Sequence, residues 1–245
     1  GRLRLMLLMI VVGIVMTRSR MGNIAFFGAI FGTGLLAWLL VTPGQRSSGR
    51  GGLLFLGSLV VVDTLIVGAY FGVDRIVSRF QEGLGEGVQQ GVSTIVGGRA
   101  EIATATLQMV RDFPLAGIGA GTFRFVFPQY RPPDLPAFAT NVENDYLEFL
   151  VELGVIGCIP LVLIALLPVV RGVRLVRRTE SQFVRGMTLG SLLTVIALSL
   201  HAFADFNLRI PSNAALLVIS LALICAASAL DEAGVDEGRM ANGDA

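Results

Sequence analysis

The chain has few charged residues and no lysine. Asp, Glu, Lys and Arg make up 15% of its 245 residues, against about 25% in an average soluble domain. All 19 basic residues are arginine, and they outnumber the 18 acids by one. A net charge this small gives no indication of a nucleic-acid partner. The scarcity of charge argues against an ordinary soluble protein.

Cysteine and histidine are also scarce, which excludes several kinds of site. Cys158 and Cys225 both lie within apolar runs, where we expect packing and neither a disulfide nor a metal site. The single histidine is His201. The sequence contains no zinc-binding pattern, no Ser-His-Asp arrangement and no dinucleotide-binding glycine motif. We therefore predict neither a metal nor a cofactor.

Apolar residues are abundant, at 53% of the chain, and the mean hydropathy is +0.73. A membrane-spanning helix needs about 20 consecutive, mostly apolar residues. The sequence therefore predicts an all-α, polytopic transmembrane helix bundle. Its six predicted spans are 3–16, 22–41, 52–72, 146–170, 186–205 and 211–230.

The orientation follows from arginine-rich short loops, which favour the cytoplasmic side. Residues 171–185 contain five arginines and one acid, so we place this loop in the cytoplasm. Alternation then puts 73–145 outside, as one large loop. We divide the chain into a membrane domain, 1–230, which includes that loop, and an acidic tail, 231–245, predicted to be disordered.

Within the large loop, apolar residues at helical spacing predict an amphipathic helix over 99–112, lying on the outer membrane surface. Arg99 opens this predicted helix, and Pro114 follows its end. A cation at a helix N-terminus is opposed by the macrodipole. Arg99 is therefore either a ligand-binding residue or a simple surface arginine.

Arg18 and Arg20 occupy an unexpected place. Alternation puts the tight turn that carries them on the outer face, where short loops usually hold fewer arginines. Guanidinium groups bind phosphates and carboxylates in a bidentate manner. These two residues could bind a lipid diphosphate or nearby acids, or they could be a tolerated exception without function.

Four acids surround the start of the fourth span, in the stretch VENDYLEFLVELG at 142–154. Asp145, Glu148 and Glu152 share one helical face. Ionisable groups in a span face the protein interior or water instead of lipid. We predict a polar cavity on the outer side, with arginines as partners. Those available on that side are Arg18, Arg20 and Arg99.

Glu143 and Asn144 precede this span, at the position where an amide or acid can cap a helix. Only one capping group is needed, so Glu143 is available for chemistry. The alternative is that all four acids merely solvate the helix end. At the fifth span, Asp205 follows His201 by four residues, so the pair could relay a proton or form a structural hydrogen bond.

Four stretches together carry a resemblance: TRSRMG, GRAEIATATLQMVRDFPLAGIGAGTFRFVFPQY, ENDYLEFLVELGVIG and HAFADFNLRIPSNA. In this order they resemble the O-antigen ligase and polymerase superfamily of bacterial surface-polysaccharide enzymes. The resemblance covers residue 14 to about residue 220. It implies a multi-pass inner-membrane protein with a periplasmic active face, and a longer parent of which this chain is the C-terminal part.

The resemblance also implies a function and a set of site residues. The expected activity is that of a metal-independent glycosyltransferase. Its donor is an undecaprenyl-diphosphate-linked oligosaccharide, its acceptor is a glycan or lipid-linked glycan, and membrane lipid surrounds it. Arg20 and Arg99, with Arg18 nearby, match positions that hold the diphosphate. Glu143, followed by Asn144 and Asp145, stands where relatives commonly have a histidine that assists the acceptor hydroxyl, and a carboxylate can accept the same proton.

Two other functions remain open. Some relatives are described as putative inorganic-carbon transporters, and a transporter would need broken helices around an ion site in mid-membrane. In this sequence the charge is concentrated at the outer surface instead. The third possibility is a non-catalytic assembly subunit.

Overall fold

The computed structural model describes residues 9, 20–41, 88–133 and 139–241. Within these ranges, the side chains of Arg20, Asn23, 88–99 and 235–241 are not described. The predicted spans 3–16 and 52–72, apart from the backbone of Met9, lie outside the described residues. The side chain of Arg18 lies outside them as well.

Every regular element in the described ranges is helical, which confirms the all-α prediction. Two 3-10 turns, Phe127–Gln129 and Asn207–Arg209, join the longer elements. Helices Asp145–Arg178 and Gln182–His201, and the segment Pro211–Gly234, are long and apolar enough to cross a membrane. We number the helices α1 Arg20–Leu40, α2 Val88–Asp112, α3 Phe123–Val126, α4 Asp145–Arg178, α5 Gln182–His201 and α6 Pro211–Ala241.

The transmembrane part is built around α5, which packs against α1 on one side and α6 on the other. Helix α4 approaches α5 and α6 closely at Gly172. A Cβ atom there would lie 2.8 Å from Ile224 Cγ2 and 3.3 Å from Thr188 Cγ2. The nearby core contains Val176, Leu192 and Ile224. By contrast, the α4 side chains Ile156, Ile159, Val162, Leu163, Ile164, Leu166 and Leu167 are exposed, which suits a lipid-facing surface.

Helix α4 is broken near its start, where Gly154 adopts φ 63° and ψ −176°. The break frees backbone groups on both sides, and segment 114–119 supplies their partners. Val155 N donates to Pro114 O at 2.9 Å, and Ile118 N donates to Val151 O at 2.9 Å. Non-helical backbone at membrane depth is tolerated where it is buried and hydrogen-bonded in this way. The break therefore fixes segment 114–119 onto α4.

Helix α2 and residues 123–127 form a separate core with the start of α4. Ala105 and Met109 of α2 pack with Phe123, Phe127 and Val151. The face of α2 that was predicted to lie on the membrane surface is thus mainly covered by protein. Only its last member, Phe113, is largely exposed.

The structure also corrects the start of this helix. Helix α2 begins at Val88, so Arg99 lies in its interior and does not open it. The prediction treated the glycines before residue 99 as a boundary. Each glycine costs a helix only about 1 kcal/mol relative to alanine, and residues 88–99, which include the adjacent Gly97 and Gly98, contain no proline. The argument that the macrodipole opposes Arg99 therefore falls.

The arginine-rich connection and the tail are more helical than predicted. Helix α4 continues to Arg178 and α5 begins at Gln182, so only 179–181 connect them. Arginine is a good helix former, and it is favourable in the last turn of a helix. Helix α6 likewise continues to Ala241, well into the predicted tail. Asp231 accepts a hydrogen bond from the Thr179 hydroxyl at 2.5 Å, which ties the beginning of that tail to the α4–α5 connection.

Candidate functional site

Three carboxylates of α4 form a buried cluster at the start of the helix. Asp145, Glu148 and Glu152 are 0%, 2% and 2% exposed. Their spacing of three and four residues puts them on one face, as the sequence predicted. Burying an ionised carboxylate is unfavourable unless it is paired and hydrogen-bonded. The partners of these acids therefore decide whether the cluster is stable.

The cation of the cluster is Arg209, from the 3-10 turn Asn207–Arg209. Its Nη2 lies 3.2 Å from Glu148 Oε1 and forms an ion pair with Glu152 Oε2. Its guanidinium carbon lies 5.1 Å from the centre of the Phe149 ring, an arrangement that gives a cation–π contact. The Arg209 side chain is 24% exposed. It lies between two carboxylates that are almost completely buried.

Backbone amides and one side-chain amide complete the cluster. Glu148 Oε2 accepts a hydrogen bond from Val142 N at 3.0 Å, and Oε1 accepts from Asn141 Nδ2 at 3.3 Å. Glu152 Oε1 accepts from Phe123 N at 3.3 Å. Hydrogen bonds to ionised groups are stronger than those between neutral groups. The two glutamates thus tie residues 141–142 and 123 to α4.

Asp145 belongs to the same cluster, but it is hydrogen-bonded to the segment between α5 and α6. Its Oδ2 accepts a hydrogen bond from Leu208 N at 2.6 Å, and its backbone N–H donates to Ala202 O at 2.9 Å. It is thereby attached to the segment between α5 and α6. The sequence predicted arginine partners for these acids, and in the structure Arg209 pairs with Glu148 and Glu152, whereas the polar cavity stays a prediction. Among the described residues, no group of three or more His, Cys, Asp or Glu side chains could hold a metal ion.

Sequence reasoning missed Arg209, because that reasoning offered only Arg18, Arg20 and Arg99 as partners of the acids. One signal was present. Arg209 is a basic residue in the short segment 206–210, which alternation places on the same side as the acids. Its position 57 residues beyond Glu152 hid the pairing from any local pattern.

Asn144 caps α4. Its backbone is extended, and its Oδ1 accepts a hydrogen bond from Leu147 N at 3.1 Å. Glu143 precedes it with φ 57°, the one non-glycine residue with positive φ in the described part of the chain. Left-handed backbone is unfavourable for such a residue, and strained positions of this kind are concentrated at functional sites. Glu143 is half-buried, and the helix does not need it as a cap.

His201 and Asp205 lie together at the C-terminal end of α5, as their spacing predicted. His201 Nε2 is 3.3 Å from Asp205 Oδ2, without the alignment of a hydrogen bond. Asp205 Oδ1 accepts a hydrogen bond from Phe206 N at 2.9 Å. This pair occupies the same α5–α6 segment that binds Asp145, so it borders the carboxylate cluster.

The predicted diphosphate-binding arginines fall mostly outside the described residues. The backbone of Arg20 begins α1 and that of Arg99 lies in α2, but neither side chain is described. Arg18 lies outside the described ranges altogether. Their role in a binding site stays a prediction.

A family model described as O-antigen ligase matches residues 5–162, more than half of the chain. The chain belongs to the O-antigen ligase family. The matched region contains Arg18, Arg20, Arg99 and the three carboxylates, and it ends within α4, before Arg209. No curated protein and no solved structure matches the chain.

Family membership confirms the resemblance derived from the sequence. Together with the three long apolar helices, it indicates a multi-pass membrane protein. The family is associated with joining lipid-linked surface glycans by a glycosyltransferase-like ligase or polymerase activity.

Proposed function

We propose that the protein polymerises or ligates undecaprenyl-diphosphate-linked glycans at the periplasmic face of the inner membrane, as a metal-independent glycosyltransferase. Family membership supports the reaction class. The proposal for the site rests on the position of Glu143. The backbone of this residue is strained, the helix does not need its side chain as a cap, and it lies directly before the buried acid cluster.

In the proposed reaction, the acceptor hydroxyl oxygen attacks the anomeric carbon of the donor sugar. The new glycosidic bond forms while the bond from that carbon to the diphosphate oxygen breaks. Undecaprenyl diphosphate leaves with the bonding electron pair, and the hydroxyl proton passes to Glu143. A positioned general base contributes about 10²–10⁴ in rate.

Arg20 and Arg99, with Arg18 nearby, would bind the donor diphosphate, whose negative charge increases as it leaves. A preorganised donor at such a charge is worth about 10²–10³ in rate. The contacts of Arg209 support this assignment indirectly. Because Arg209 already pairs with Glu148 and Glu152, the acid cluster does not require the other arginines as counter-ions.

One feature of α4 favours the transporter alternative, because transporters often build ion sites at broken helices. Here the break at Gly154 is filled. Ile118 N and Gly119 N donate to the carbonyls of Val151 and Glu152, so those oxygens already have donors. The neighbouring carboxylates are bound to Arg209 and to backbone amides. This arrangement supports a rigid structural break more than an ion path.

The test is the Glu143→Gln variant, which keeps the size of the side chain and removes its basicity. We expect transfer of glycan from a purified lipid-linked donor to fall about 10²–10⁴-fold, with donor binding and thermal stability little changed. Glu180→Gln is the matched control, because Glu180 is an exposed acid near the opposite end of α4. Normal transfer by the Glu143 variant would remove this residue from the catalytic site.

A second pair of variants tests the arginines. Arg20→Lys and Arg99→Lys keep the charge but lose the planar fork, so we expect both to transfer glycan more slowly than the parent protein. Wild-type rates in both would exclude them from the diphosphate site. Ion uptake into vesicles without any glycan transfer would favour the transporter, and inactivity in both assays would favour an assembly subunit.

A further inference from the structure

A second charged feature lies at the opposite end of α4 from the acid cluster. A cleft of about 360 Å³ opens there between α4 and α6. Arg171, Arg174 and Arg178 line its α4 side. Their spacing of three and four residues brings all three to one helical face. The α6 side is formed by Cys225, Ser228, Ala229 and Glu232.

The three arginines of the cleft differ in the ion pairs that they form with the described side chains. Arg178 lies 3.6 Å from Glu232 and 3.8 Å from Asp231, so the acids of α6 neutralise it. Arg171 and Arg174 are exposed and form no ion pair with any acid among the described residues. Among the described side chains, the cleft therefore has more positive than negative charge, and the guanidinium groups of Arg171 and Arg174 can bind phosphate oxygens in a bidentate manner.

The cleft stands where the lipid-facing surface ends. The apolar run of α4 stops at Val170, and its exposed side chains include Leu163 and Leu167. On α6, Leu223 is exposed just before the cleft residues, and Leu230 is exposed among them. An arginine that directly follows an exposed apolar stretch lies at the depth of lipid headgroups.

We propose that this cleft binds the phosphate of an anionic phospholipid, with Arg171 and Arg174 contacting the phosphate and the acyl chains lying along the exposed face of α4. Basic pockets between membrane helices bind anionic headgroups by this chemistry. A free phosphate ion would use the same two guanidinium groups but would not need the adjoining apolar surface. The proposal is independent of the proposed glycan transfer.

Cys225 provides the test, because it is exposed within the cleft. The only other cysteine of the chain, Cys158, is replaced by serine. The full chain is placed in phosphatidylcholine vesicles, with or without phosphatidylglycerol. The rate of Cys225 labelling by uncharged N-ethylmaleimide is then measured. We expect phosphatidylglycerol to slow the labelling several-fold.

Arg171→Gln/Arg174→Gln should abolish that protection. Arg177→Gln is the matched control, because Arg177 is exposed on the same helix but does not line the cleft. It should keep the protection. If the double variant does not fold, Arg171→Lys/Arg174→Lys replaces it and should retain only part of the protection.

Three outcomes would overturn the proposal. The first is an equal labelling rate in both kinds of vesicle. The second is loss of protection in Arg177→Gln as complete as in the double variant, which would show a general charge effect. The third is equal protection by inorganic phosphate in pure phosphatidylcholine, which would assign the cleft to a free anion.

Discussion

At the scale of single residues, Arg209 provides the positive charge that compensates the buried carboxylates of Glu148 and Glu152. It is the cation paired with Glu148 and Glu152, whose side chains are almost completely buried. Removing one partner from a buried ion pair leaves a charge without compensation, which typically costs about 3–5 kcal/mol. Replacing the whole set by neutral groups avoids most of that loss.

We therefore expect Arg209→Met to lower the free energy of unfolding by about 3–5 kcal/mol. Thermal unfolding in detergent measures the effect. Arg209→Met/Glu148→Gln/Glu152→Gln should recover much of the stability, because both acids that pair with Arg209 are then neutral. Arg124→Met is the control, since Arg124 is exposed and its contact is with the Phe125 ring at 4.7 Å. An unchanged unfolding temperature in the single Arg209 variant would mean that the acids do not depend on this cation.

At the scale of elements, the break in α4 joins the membrane helices to segment 114–119. Gly117 and Gly154 face each other with φ 68° and φ 63°, and their backbones are in close contact. A Cβ atom on Gly154 would overlap with the Leu115 carbonyl, and one on Gly117 would overlap with the Glu152 carbonyl. Both positions need glycine for its backbone angle and for its size.

Substitution by alanine can separate the effect of the backbone angle from the effect of the missing space. Gly121 has φ 74° but open space around it, so Gly121→Ala should show only the backbone term of about 1–2 kcal/mol. Gly154→Ala and Gly117→Ala add an overlap with backbone atoms, and we expect a further loss of about 1–3 kcal/mol. Thermal unfolding compares the three. Equal losses in all three variants would show that segment 114–119 is not packed against the break.

At the scale of the whole molecule, α4 separates two regions of opposite charge. The buried carboxylates lie at its beginning and the exposed arginines at its end. Beyond the break at Gly154, residues 155–178 of α4 are helical, and at about 1.5 Å per residue this part alone can cross the hydrocarbon layer of about 30 Å. The two charged regions therefore belong to opposite faces of the membrane.

The arginine count of 171–185 predicts which face is which. In a background without Cys158 and Cys225, we place single cysteines at Gln129 and Gln182, which are exposed near opposite ends of α4. An impermeant thiol reagent added to intact cells should label Gln129→Cys. It should label Gln182→Cys only after the cells are permeabilised. Labelling of Gln182→Cys alone from outside would reverse the orientation.

Much of this protein could be read from local patterns. Apolar run lengths predicted the helices now seen at 20–40, 145–178 and 182–201, because a span is specified by its own composition. Helical spacing placed Asp145, Glu148 and Glu152 on one face. Asn144 was recognised as a possible cap because capping involves neighbouring residues alone. Four ordered sequence stretches were enough to indicate the family that the comparison confirms.

The tertiary structure determined which distant residues come into contact. Arg209 meets Glu152 across 57 residues, and no local rule selects that arginine over the others on the same side. The break at Gly154 is also invisible locally, because an isolated glycine is tolerated within a helix. The break is stable here because segment 114–119 supplies hydrogen-bond partners for the freed backbone groups. The sequence alone determined where the membrane-spanning helices lie and which residues are ionisable. Only the packing of distant segments decided which charges neutralise each other, because that depends on which surfaces come into contact.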